Sequence, residues 1–189
     1  MLKIFDMKKL FVLMSMFFVA LTATAQTETA VKANDDPLDL SSQLEKVEKH
    51  GVPTVAMVQE MKEKAEMLYV NQMWEDAAQA YEEFAQKANW LANLIAQCVE
   101  PYYSASYDDR KNASYTLLKD FIPYEKKANE LKEQRNVAYV RIGLCYKNMG
   151  NNSQAVTYLH KGLDLLAIDQ RTEWNEAASA LAEIVGFVN

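Results

Sequence analysis

The chain has 189 residues, 50% hydrophobic and 24% charged, which is the balance of a globular protein and not of one disordered throughout. Its formal net charge is −6. An acidic surplus repels phosphate backbones and anionic bilayers, so neither nucleic acid nor an anionic membrane surface is an expected partner.

Lys3, Lys8 and Lys9 precede an apolar run from Leu10 to Leu21, and Ala23-Thr-Ala25 follows. A basic start, a short apolar centre and an Ala-x-Ala end are the parts of a secretory signal peptide. The run has about 12 residues, whereas a helix that spans a bilayer takes roughly 20. A cleaved signal over residues 1–25 is therefore expected, ahead of a retained membrane helix. Asp6 fits a basic leader poorly, and a start at Met7 gives a neater signal. The segment resembles bacterial export signals, especially those of Bacteroidetes-type organisms. The residue directly after Ala25 is Gln26 and not a cysteine that could carry a lipid, so a periplasmic or secreted protein is expected. Residues 26–39 are polar and aperiodic and read as a flexible leader.

The rest, 40–189, reads as helical throughout, with about eight helices and no sustained alternation of strand type. Ser42-Gln-Leu-Glu45 has the form of a capping box, and His50-Gly51 ends that first helix. After Pro53, apolar residues at spacings of three and four run to Val70. A helix from Trp74 to Ala88 follows, then one from Trp90 to Val99. The Tyr102–Asp109 stretch reads as a turn. A helix from Arg110 to Phe121 is expected to stop before Pro123. Another runs from about Glu125 to Met149, where Gly150 ends it. Ser153–Leu166 and Asp169–Phe187 are the last two.

Tyr139-x2-Ile142-Gly143-x2-Tyr146, followed by Ala155-x3-Leu159, resembles the tetratricopeptide repeat, whose pattern is W-x2-L-G-x2-Y, then A-x3-F, then Pro, in 34 residues. Ala167 stands where the proline would be. Met61-x2-Lys64-Ala65-x2-Leu68 with Ala77-x3-Tyr81 is a weaker second copy, departing at Lys64 and Leu68. Small residues are needed where paired helices approach closely, so Gly143 is expected opposite Ala155 and Ala65 opposite Ala77, with Tyr146, Leu159, Leu68 and Tyr81 filling the gaps. The resemblance implies a right-handed solenoid of antiparallel helical hairpins. Its repeats would lie near 58–91 and 136–169, with a degenerate hairpin at 92–130 between them. A capping helix at 170–188 would bury Trp174, Ala178, Leu181 and Val185.

Little in the sequence points to catalysis. His50 and His160 are the only histidines and have no partners at metal-ligand spacing. The five glycines form no phosphate loop, and no G-x-S-x-G occurs. Neighbouring acids such as Glu82-Glu83 diverge on a helix and cannot flank a substrate. No cofactor, metal or catalytic residue is expected. Cys98 and Cys145 lie in apolar helical patterns; they form either one disulfide or two buried thiols. By resemblance, a protein or peptide partner would lie in the groove lined by the first helices. The residues facing it would be Gln59, Lys62, Glu66, Tyr69, Val137, Val140, Leu144, Lys147 and Asn148. Some repeats of this kind clamp a carboxylate there, but Glu66 stands where an Asn would be wanted, and no clamp is expected. Tyr102, Tyr103 and Tyr107 either cover a hairpin end or offer an exposed aromatic contact, with a glycan as the alternative partner.

Overall fold

The computed structural model describes residues 41–187. The expected signal and leader lie outside the described residues, as does the side chain of Ser42. The chain divides into two units, Met1–Gly51 and Val52–Asn189. Of the first, the helix α1 (Ser41–His50) is described. It belongs to the first unit and not to a single domain beginning at residue 40, and none of its described side chains is buried.

The second unit holds α2 (Val55–Val70), α3 (Trp74–Gln97), α4 (Tyr107–Lys111), α5 (Tyr115–Asn148), α6 (Asn152–Leu165) and α7 (Arg171–Ile184). All seven helices and the absence of strands among the described residues agree with an all-α fold. Thr54, after Pro53, caps α2 by accepting a hydrogen bond from the Met57 amide. Gly150, at φ 76°, turns the chain between α5 and α6, and the Asn151 side chain then caps α6 through the Gln154 amide.

Two expected boundaries are absent. The helices at 74–88 and 90–99 are one helix, α3, because nothing between Ala88 and Gln97 breaks a helix. The helices at 110–121 and 125–149 are likewise replaced by α5, which runs for 34 residues through Pro123. A proline inside a helix removes one N–H bond, and the deprived carbonyl is tolerated where water reaches it; Pro123 is exposed. The short α4 stands in the expected turn, capped by Ser106.

These long helices overturn the expected middle hairpin at 92–130. The end of α3 and the start of α5 instead run on beyond the α2–α3 and α5–α6 hairpins as one antiparallel pair. Arg135 of α5 bonds Asn89 of α3, Tyr103 bonds Asn129, and Arg110 pairs with Glu125. Leu91, Ala92, Ala96, Val99, Ala128 and Leu131 are buried along this pair. The α2–α3 and α5–α6 pairs therefore stack directly: α3 packs on both α2 and α5. Their main shared core joins Val58, Ala65, Tyr81, Phe84, Ala138 and Ile142.

The close approach of α5 and α6 differs in detail from the expectation. Gly143 faces Leu159, not Ala155: a Cβ on Gly143 would lie 2.6 Å from Leu159 Cγ and 2.9 Å from its backbone nitrogen. A second contact of the same kind, missed in the sequence, sets Gly162 against Val140, whose Cγ2 would be 2.6 Å from an added Cβ. Ala65 and Ala77 are both fully buried but belong to separate clusters. Cys145 is buried, while Cys98, at the end of α3, is exposed, and both are free thiols.

The packing predicts a clear outcome for Gly143→Ala. The clash reaches backbone, so overpacking costs about 1–3 kcal/mol, against no more than about 1 kcal/mol returned by alanine's helix propensity. The urea midpoint should fall; an unchanged or raised midpoint would contradict the packing described.

Candidate functional site

A groove of about 460 Å³ opens between α2 and α5, with α3 as its floor and α7 at its rim. Lys62, Glu66, Tyr69 and Val70 line it from α2, Gln134, Val137, Ala138 and Arg141 from α5, and Glu173 from α7. Tyr81 and Phe84 of α3 close the bottom. The direct stacking of the two helix pairs creates this groove, since an intervening hairpin would separate α2 from α5.

Arg141 organises its centre. Its guanidinium lies over the Tyr69 ring at 5.2 Å and donates to Glu176 Oε2 at 2.6 Å. Burial opposes its charge, but Glu176 and Tyr69 outweigh that, and its pKa is raised. Tyr69 in turn meets Trp74 edge-on at 5.4 Å and Tyr81 at 6.1 Å. Lys62 pairs with Glu66 at 3.6 Å. The groove thus carries paired charges around an aromatic and aliphatic floor, fit for a segment with apolar side chains and a few polar contacts.

The structure gathers only part of the expected site. Lys62, Glu66, Tyr69 and Val137 share the groove. Val140 is fully buried against Gly162 and cannot meet a partner. Leu144 packs into the core between α5, α6 and α7. Lys147 pairs with Glu183 of α7, and Asn148 is exposed beside the Gly150 turn. The helix face was misjudged because α7 covers the side of α5 that bears Leu144 and Lys147. Arg141, the residue missed, was legible only as a cation within the best motif.

The aromatic cluster is split. Tyr102 packs on Phe121 with Arg110 over its ring. The Tyr103 hydroxyl donates to Asn129 Oδ1 and accepts from Lys132, each at 2.9 Å. Only Tyr107, 78% exposed, stands free of such contacts. The three rings form no joint platform. Glu82 Oε1 accepts both the Tyr146 hydroxyl at 3.1 Å and the Tyr158 hydroxyl at 2.9 Å, tying α3 to α5 and α6. Asn136, the one buried polar side chain among the described residues, donates to the Leu165 carbonyl at 2.7 Å and so holds the end of α6. His160 is exposed and lies 3.2 Å from Asp164.

Residues 137–161, within the α5–α6 pair, match the family model of the tetratricopeptide repeat. No curated protein and no solved structure matches the chain. The match covers one helical hairpin and supports a helical-repeat scaffold for protein interaction. Among the described residues no helix is long and apolar enough to cross a membrane, and no group of three His, Cys, Asp or Glu is placed to hold a metal ion.

Burial pushes the Cys145 thiol up to about 12, partly opposed by Arg141, and burial with the Glu82 hydrogen bond pushes Tyr158 up to about 12. Burial also raises Tyr81 and Tyr146. Each group holds its proton more firmly folded than unfolded. The stability this contributes is full below the unfolded values, 9.0 for the thiol and 10.0 for tyrosine, and is lost as pH rises toward about 12. Helicity followed by circular dichroism should fall in that window, and Cys145→Ala should start the fall at higher pH. A chain whose stability is flat through the window would contradict the burial described.

Proposed function

We propose that this chain is an exported, non-catalytic adaptor that holds an extended or helical protein segment in the α2–α5 groove. One observation carries the reading: the two helix pairs stack so that Tyr69 and Arg141 meet across a groove with an apolar floor. Recognition would be by complementarity of shape and side chains on a preformed surface, with Tyr69 and Arg141 as its anchors; tyrosine and arginine are frequent in binding hot spots. The signal-like residues 1–25 support placement in the periplasm or outside the cell, and the composition favours protein over nucleic acid as the partner. The helix pairs support a right-handed solenoid as the architecture that presents the groove.

A photo-crosslinking residue in place of Gln134, which lines the groove, tests this in cells that express the full chain. Discrete protein adducts are expected, weakened roughly tenfold or more by Tyr69→Ala or Arg141→Ala. Adducts that ignore both substitutions, or none at all, would remove the groove as the binding surface. N-terminal sequencing of the protein from the cell envelope or medium should begin at Gln26; an intact N-terminus on cytoplasmic protein would remove the export reading.

A further inference from the structure

Helix α7 stands to α5 as the first helix of a further repeat. Arg141 pairs with Glu176, 35 residues on, and Lys147 with Glu183, 36 residues on, so the two helices run side by side in the same direction at close to one repeat length. The motif follows the same offset. Tyr139, Ile142, Gly143 and Tyr146 of α5 correspond to Trp174, Ala177, Ala178 and Leu181 of α7. Burial agrees at the core positions, with Ile142 and Ala177 both fully buried and Cys145 matched by Ala180. On α5, the face bearing Gly143 is covered by α6. On α7 the corresponding face is partly open: Trp174 is 48% and Val185 70% exposed, while Ala178 and Leu181 between them are half-buried. The expected capping role holds only in part: Ala177 and Ala180 carry the buried face and Leu181 packs partly against it, Ala178 is half-buried, and Trp174 and Val185 at the ends of the stripe face outward.

That stripe has features that select its occupant. Trp174, Ala178, Leu181 and Val185 are spaced four, three and four, a pattern that reads the same in both directions. A two-fold axis between positions 179 and 180 would set Trp174 against Val185 and Ala178 against Leu181, in both copies at once. The acids of α7, Glu173, Glu176 and Glu183, lie off the stripe, and of the helix's charged residues Arg171 alone borders it. In a chain of net charge −6 this is a face where like charges do not meet. At the N-terminal end of the stripe, a notch of about 480 Å³ is lined by Leu163, Leu166, Ile168, Arg171 and Trp174 among others. At the other end Phe187 is 66% exposed, although its amide is bonded to the Ala182 carbonyl past Gly186, at φ 73°. Helix α7 therefore has an apolar projection at one end and an apolar recess at the other.

We infer that a second copy of this chain docks on the open face of α7, antiparallel, with Val185 and Phe187 of each copy at the other's notch. The second α7 then covers the face that α6 covers on α5. Sedimentation velocity of the full chain from low to high micromolar concentration tests it. Wild type should shift from monomer to dimer, and Ala178→Glu, which sets two carboxylates near the axis, should raise the dissociation constant at least roughly tenfold with unchanged helicity. Gln86→Glu, on an exposed position of α3, adds the same charge elsewhere and should not. Val185→Ser, at a surface position that folding does not need, should also weaken the dimer. A wild type that stays monomeric, or a dimer indifferent to Ala178→Glu and Val185→Ser, would overturn the inference, and the second outcome would assign any association to another surface. Neither result bears on the α2–α5 groove.

Discussion

The fold depends on how closely α5 and α6 approach. Gly143 beneath Leu159 and Gly162 beneath Val140 leave no room for even a methyl group at either glycine. This lets Val140, Ile142 and Leu159 be fully buried, at about 1.5–3 kcal/mol for each side chain. The ion pairs along the same helices are partly exposed and contribute about 0–1 kcal/mol each. Packing therefore holds the hairpin, and the charges only set which residues lie side by side. With α6 fixed, Asn136 ties its end to α5, and Tyr158 reaches Glu82 on α3. The close approach of one helix pair thus orients three helices.

The length of α5 is the second constraint. Its C-terminal half serves as the first helix of the best repeat, while its N-terminal half extends the α3 helix as an antiparallel pair. The residues between the two helix pairs are absorbed in this extension and do not form a unit of their own. That sets α2 and α5 on either side of a groove floored by α3, on which both pack. The same helix then offers Arg141 to Tyr69 on one side and to Glu176 on the other, so the groove and the α7 rim share one cation.

Much of the architecture was legible in the sequence. Apolar spacing placed α2, α6 and α7, and the Tyr139–Leu159 motif marked a hairpin whose family resemblance residues 137–161 bear out. What was not legible has physical causes. Proline normally ends a helix, but exposure of Pro123 lets α5 continue. A motif shows which residues are small, not which residue each one meets, so Gly143 was set against Ala155 instead of Leu159. Helix spacing placed Val140, Leu144 and Lys147 on the groove face, because the position of α7 against α5 depends on long-range packing. Arg141 was overlooked for a related reason: its partners Tyr69 and Glu176 lie 72 and 35 residues away. Tyr102 and Tyr103 looked unclaimed because Phe121, Asn129 and Lys132 reach them only through the extended pair.

The direct contact of the two helix pairs is the claim on which the groove rests. A distance measured by paired spin labels at Lys62 of α2 and Gln134 of α5 tests it most directly. Both positions line the same groove over α3, so the account predicts a short distance, the width of that one groove plus the reach of the labels. A distance longer by one or more further helix spacings would place a hairpin between α2 and α5 and contradict the account.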